Sequence, residues 1–264
     1  MNNFLRISKG ITATLPVVIS CVPVSAQVNV KVNHTPPKMN VLFIVSDDLN
    51  NDMACFDDPL VKTPNLDRLR DEGVKFSLNY CQYSLSGPSR ASFLTGYSPD
   101  RTGVKDLKHN FREKLPNAVT LPQLFKDNGY YTARIGKIFH AGVPNDIGQN
   151  GMDDPQSWNQ VYNPIGRDRT TDECKVINFT PQRAFHGSLG SSLAYYMSPG
   201  TDNEQTDAIG ANIAVSMIRQ HRNKPFFIAM GFYRPHCPYI VPKKYFDLYS
   251  LSEIKLREER KDDW

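Results

Sequence analysis

The chain has 264 residues, 40% of them apolar, and a formal net charge of +4. That suits one large globular domain or two small ones and excludes collagen, coiled-coil and wholly disordered classes. So small a charge, with no Lys/Arg stripe interleaved with aromatics, argues against a nucleic-acid partner.

The N-terminus reads as an export signal. Arg6 and Lys9 form a positive start, and an apolar run follows from Ile11 to about Val24. Val24-Ser25-Ala26 then places small residues where a signal peptidase cleaves. The run is shorter than the ~20 residues of a membrane helix, so residues 1–26 are expected to be a signal peptide, without stable membrane insertion. Cys21, preceded by Val18-Ile19-Ser20, offers a loose lipoprotein-type alternative. Either route exports the protein, to the periplasm or beyond. Losing Arg6 and Lys9 takes the charge from +4 to +2, because the leader holds no acid. Cys55, Cys81, Cys174 and Cys237 remain; an even count permits disulfides without requiring them. No CxxC pair occurs among them, so a zinc site is not expected. Residues 27–38, with Pro36-Pro37, read as a linker.

Met39 to Val45 is a continuous apolar run that stops at Ser46-Asp47-Asp48, the pattern of a strand buried on both faces. Thr63-Pro64 predicts a helix start with Thr63 as cap, closed by Gly73. Val74 to Leu78 alternates and predicts a strand. Pro88 to about Leu94 predicts a helix ended at Thr95-Gly96, and Thr120 caps another that ends at Asn128-Gly129. Tyr130 to Ile135 predicts a strand. Residues 141–200 show little periodicity and read as a long surface excursion. Ala208, Ile209, Ile213, Met217 and Ile218 mark one face of a helix over about 203–222. Phe226 to Met230 reads as another buried strand. The alternation predicts an α/β fold with a mostly parallel sheet sandwiched by helices. The charged stretch Leu256 to Trp264 reads as a fragment boundary, a frayed tail being the alternative.

Open α/β sheets bind ligands at the carboxyl ends of their strands. Asp47 and Asp48 follow the first strand; a hard cation, Ca²⁺ or Mg²⁺, would relieve their repulsion, while a solvated turn or a cap explains them equally well. In Ser86-Gly87-Pro88-Ser89-Arg90 the proline sets a first helical turn, so Ser86 stands at a helix start, where free N–H groups favour an anion. Arg90 reaches the same side one turn on. Taken alone, Ser86 reads as an ordinary cap, and His140, His236 and Lys137 as structural or surface residues. His34, His109, His186 and His221 keep that reading.

The whole run from Ser86 through Arg90 to Leu94-Thr95-Gly96 resembles the sulfatase signature. Asn40 to Asp48 is similar to that family's first strand and aspartate pair, and Thr63 to Leu69 to its next helix. Gly136-Lys137-Ile138-Phe139-His140 resembles its Gly-Lys-x-x-His element, and Gly231 to Pro238 a Pro-His element. Gly-Lys-x-Phe-His with Pro-His-x-Pro, Pro242-Lys243-Lys244-Tyr245-Phe246, and Asp153-Asp154 before Ser157-Trp158 resemble the iduronate-2-sulfatase branch. The likeness runs from about residue 39 to the end, which implies that 39–264 is the N-terminal, incomplete part of a catalytic domain.

This resemblance implies an alkaline-phosphatase-like fold and hydrolysis of sulfate esters, with 2-O-sulfate on uronic acids of glycosaminoglycans as the substrate class. It implies that Ser86 is oxidised to formylglycine by a maturase, as in the bacterial serine type. It also implies one Ca²⁺ or Mg²⁺ on Asp47, Asp48 and residue 86, and catalytic roles for Ser86, Arg90, Lys137, His140 and His236. In the expected division of labour, His236 protonates the leaving oxygen and His140 assists release of sulfate. The family completes its metal site with a later Asp and His or Asn and a further Lys. Nothing after residue 236 supplies these, so the chain is expected to be the N-terminal part of a longer enzyme, incomplete at its C-terminus. Two rival readings are a phosphoester hydrolase using unmodified Ser86, and an inactive binder of sulfated polysaccharide.

Overall fold

The computed structural model describes residues 37–181 and 189–255. The expected signal peptide, Cys21, nearly all of the linker and the charged stretch 256–264 lie outside the described residues. No helix among those described is long and apolar enough to cross a membrane.

Strand β1 (Val41–Asp47) leads to helix α1 (Pro64–Glu72), then α2 (Ser86–Thr95), α3 (Pro99–Thr102), α4 (Phe111–Lys114) and α5 (Leu121–Asp127). Strands β2 (Tyr131–Gly136), β3 (Gln160–Tyr162), β4 (Ile177–Asn178) and β5 (Ala194–Ser198) follow. Helix α6 (Thr206–His221), β6 (Phe226–Pro235), β7 (Tyr239–Pro242) and α7 (Lys243–Phe246) complete the order. The main sheet runs β1-β6-β2-β3 with every described pairing parallel. A smaller sheet, β4-β5-β7, is mixed.

The buried run Phe226–Met230 occupies the interior of the main sheet, between β1 and β2. Its side chains alternate between two cores. Phe227 and Ala229 meet Ala91, Leu94, Phe111 and Trp158 on one face. Phe226, Ile228 and Met230 meet Ala133, Ile135, Ala214 and Met217 on the other, under α6. This is the expected helix-sheet-helix sandwich. The helix stops also match the sequence: Gly96 and Gly129 adopt φ of 73° and 78°, and the Thr120 side chain accepts a hydrogen bond from Gln123 N.

Four expectations fail, each for a physical reason. β1 is not buried on both faces: Val41, Phe43 and Val45 pack on the core, but Leu42 and Ile44 are exposed. Among the described residues β1 borders the sheet, beyond the cover of α6. Val74 to Leu78 forms no strand, since no described strand pairs with it, and its apolar side chains are exposed. Thr63 does not cap α1; its hydroxyl donates to Asp67 Oδ1 instead. Residues 141–200 are no mere surface excursion. β3 joins the main sheet, Trp158 enters the core, and buried Asp153 and Asp154 pair with Arg134 and Arg112. Buried ion pairs order this segment, and they leave no hydrophobic period to read.

Candidate active site

The carboxyl ends of the parallel strands converge, and the expected site residues lie there. Asp47 ends β1, Lys137 and His140 follow β2, and His236 follows β6. Ser86 is the first residue of α2, after Leu85 in the cap position, and no side chain caps that end. Its free backbone N–H groups and the helix dipole give the pocket a positive floor.

Two glycines bring Lys137 to its place. A Cβ on Gly231 would lie 1.9 Å from Lys137 O, and one on Gly136 2.2 Å from Gly231 O. Gly136 also has a φ of 68°, which turns the chain out of β2 into the Lys137–His140 segment. Lys137 N then donates to Gly231 O at 3.0 Å.

Asp47 is the electrostatic hub. Its Oδ1 accepts from Arg90 Nη2 at 2.8 Å and its Oδ2 from Lys137 Nζ at 2.5 Å. All three side chains are at least 95% buried. Burial alone would raise the Asp47 carboxyl; the two cations outweigh it and hold the group below the ordinary carboxylate range. Burial, with the Arg90 charge adding, pushes Lys137 below the usual lysine range, opposed by Asp47. Arg90 is fixed further by donating Nη1 to the carbonyls of Lys137 and Ile138 at 2.9 and 2.7 Å. Its Nε donates to Ser86 Oγ at 3.1 Å.

The Ser86 hydroxyl also meets His140 Nδ1 at 3.2 Å. Burial, then repulsion by Lys137 and Arg90, lowers His140 to about 4, so at neutral pH it is an uncharged proton acceptor. Serine, a neutral imidazole and two cations thus share one pocket.

Asp48 and His236 form its other wall. Asp48 stands in left-handed backbone, with φ of 59°, which breaks the strand direction right after Asp47. His236 Nδ1 meets the Cys237 carbonyl at 2.7 Å; only a protonated Nδ1 can donate there. Nε2 therefore faces Asp48 Oδ2, 3.6 Å away. A carboxylate oxygen opposite that nitrogen needs a proton or a cation between them.

Asp47, Asp48 and His236 bring ligand atoms within 4.8 Å of one another. The two carboxylates supply hard oxygen donors, so the set fits a divalent cation in kind. His236 stands with the aspartates, while the Ser86 hydroxyl meets Arg90 and His140. Cys55, Cys81, Cys174 and Cys237 are all free thiols.

Several residues that build this wall were not singled out in the sequence. Ser46 Oγ donates to Arg234 O at 2.6 Å, tying β1 to the His236 turn. Asp207 accepts from Tyr233 N and Arg234 N at 2.9 and 3.0 Å. Burial raises Asp207 to about 6 even so. Ser46 and Arg234 carried the available signal, lying inside the first-strand run and the Pro-His element; nothing local marked Asp207.

A serine at a helix start, between a guanidinium that also holds Asp47 and a neutral imidazole, makes an α/β site whose donors suit an anion. The sulfatase family model matches residues 39–260, and the chain belongs to the sulfatase family. It is 35% identical over 250 residues to human iduronate 2-sulfatase, covering 92% of this chain and 43% of that protein. It thus spans less than half the length of that relative. A sulfatase of Formosa agariphila is 33% identical over 236 residues, covering 86% of this chain and 45% of that protein. Among solved structures, one in complex with its substrate, D-glucosamine-2-N,6-O-disulfate, aligns with a TM-score of 0.52 at 24% identity. That alignment covers 77% of this chain and 36% of the other. The fold is that of the alkaline-phosphatase-like sulfatases.

Proposed function

We propose that the protein, as part of a longer enzyme, hydrolyses sulfate esters, with 2-O-sulfated uronic acid residues of glycosaminoglycans as substrate. The carrying observation is the Ser86 hydroxyl, held between Arg90 Nε at 3.1 Å and His140 Nδ1 at 3.2 Å at the start of α2. The 35% identity to human iduronate 2-sulfatase supports the substrate class.

Ser86 is read as the precursor of formylglycine, made by a dedicated maturase; once hydrated, that group supplies a hydroxyl nucleophile for sulfur. Asp47 and Asp48, with residue 86, would hold the cation, Ca²⁺ or Mg²⁺, whose positive charge favours sulfate oxygens in the pocket. Lys137 and Arg90 stabilise negative charge on those oxygens as it grows. Neutral His140 accepts a proton at residue 86. His236 protonates the leaving sugar oxygen through Nε2. The expected leader places the enzyme in the periplasm or outside the cell, where sulfated polysaccharide is met.

The test is mass spectrometry of the peptide holding Ser86, after coexpression of the full enzyme with a serine-type maturase, together with sulfate release from a 2-O-sulfated uronate disaccharide. Formylglycine with turnover is the expected result. Unmodified serine with phosphoester turnover would replace this reading by phosphoester hydrolysis. Binding of sulfated oligosaccharide without turnover would reduce the protein to a binder.

A further inference from the structure

We infer that Arg234 is the positioning residue for His236, and that Asp168 holds Arg234 to that task; the inference rests on the sulfatase reading above. Arg234 lies two residues before His236, yet its side chain folds back over the turn that carries the histidine. Nη1 donates to the carbonyl of His236 at 3.0 Å and to that of Pro238 at 2.6 Å. One guanidinium corner thus bridges two carbonyls on either side of Cys237, whose own carbonyl takes the His236 Nδ1 proton at 2.7 Å. The turn is pinned at three successive carbonyls, and the imidazole is oriented by the middle one.

The clamp is anchored from outside the turn. Arg234 Nη2 pairs with Asp168 Oδ2 at 3.2 Å, in side chains 14% and 4% exposed. The other oxygen of Asp168 accepts from Thr206 N at 2.8 Å and Thr206 Oγ1 at 2.6 Å. Asp168 therefore ties Arg234 to the start of α6. The main chain of Arg234 is held as firmly, by Ser46 and Asp207. These bonds connect the His236 turn to β1 just ahead of Asp47 and Asp48. The separation of His236 Nε2 from the aspartate pair is thus set by a frame whose bonds run to protein groups behind the turn. A lysine at 234 has one head group and no fork, so it serves fewer of these acceptors at once.

A histidine that protonates the leaving oxygen matters most when the leaving group is a poor one, such as a sugar alkoxide, and least for an acidic phenol. A merely structural residue affects both alike. The experiment compares kcat on an alkyl or sugar sulfate with kcat on 4-nitrophenyl sulfate, in the full matured enzyme, for wild type, Arg234→Ala, Arg234→Lys and Asp168→Asn. Arg234→Ala is expected to cost about 10–100-fold on the sugar sulfate and less than about threefold on the aryl sulfate. Arg234→Lys should recover part of the loss, and Asp168→Asn should show the same split in milder form. Equal losses on both substrates, or no loss on either, would overturn the inference.

Nitrogen-15 NMR of the imidazole ring provides a readout without turnover, and it separates failure of this inference from failure of the sulfatase reading. The wild type should show His236 protonated at Nδ1, and Arg234→Lys and Asp168→Asn should mix the tautomers. An unchanged Nδ1–H signal in both variants refutes the positioning role, whatever the enzyme hydrolyses.

Discussion

Replacing Lys137 with methionine isolates the hub on Asp47. Methionine has nearly the length of the lysine stem and no charge, so the packing volume is largely kept. The Lys137 side chain is 0% exposed and that of Asp47 4%, so water does not replace the lost donor. Asp47 Oδ2 is then a buried carboxylate oxygen without its partner, while Oδ1 keeps Arg90. Breaking a buried pair from one side costs about 3–5 kcal/mol; the retained Arg90 and the relief of lysine burial point to the lower end, about 3 kcal/mol. In a chain of this size that is a fall in Tm of roughly 6–12 °C. The loss carries a pH signature. In the wild type Asp47 lies below its ordinary value, so its contribution is present at neutral pH and lost only as pH falls through that lowered value. In the variant the Asp47 carboxyl rises, its protonation relieves the unpaired charge, and the deficit against wild type shrinks as pH falls. Calorimetry at pH 7 and pH 4.5 reads both effects. A deficit under about 1 kcal/mol, or one equal at the two pH values, would refute the assignment of Asp47 as a charge held by two cations.

Gly231→Ala should be destabilised by about 1–3 kcal/mol or more, because the new Cβ meets Lys137 backbone that no rotamer change can clear; urea unfolding measures it, and wild-type stability would refute the close approach. His140, lowered to about 4, contributes stability that is fully present above the ordinary histidine value and lost as pH falls towards 4. Discounted for partial exposure, this is worth about 1–2 kcal/mol, and His140→Gln should flatten that part of the stability-pH curve in denaturant melts. Adding Ca²⁺ to chelator-treated protein should raise Tm, by the equivalent of about 2.7 kcal/mol at a hundredfold excess over Kd, and Asp48→Asn should abolish most of the rise. An equal rise in Asp48→Asn would remove Asp48 from the cation site.

Much of the architecture was legible because β1, β2, β6 and α6 are apolar segments with clear periods and clear stops. Ser86, Lys137, His140 and His236 were legible only through the likeness of their motifs to the sulfatase pattern; strand ends and a helix start, taken alone, left them as a cap and structural residues, and left Asp47 an even choice between a cation site and a turn. What stayed hidden depends on partners distant in the chain. The alternation of Val74 to Leu78 satisfies a strand rule, but a strand exists only with a neighbour. Trp158 and Asp154 sit in a stretch without period, and their burial is enforced by Phe227 and Arg112, respectively 69 and 42 residues away. The frame of Arg234 joins positions 46, 168, 207 and 234, which no local pattern relates. That His236 turns its Nε2 towards Asp48 is likewise a matter of side-chain direction, which spacing does not encode.

β1 pairs with β6 on one side, and among the described residues nothing pairs with its other side. Along a strand, successive amides point to opposite sides. In deuterated water the amides of Val41–Asp47 should therefore divide into two alternating populations, one exchanging only when the ladder to β6 opens, the other exchanging freely. The carboxylate that holds Arg90 and Lys137 thus ends a segment with a slow side and a fast side. Whatever comes to cover that free row of amides will register as a change in their exchange, residue by residue, up to Asp47 itself.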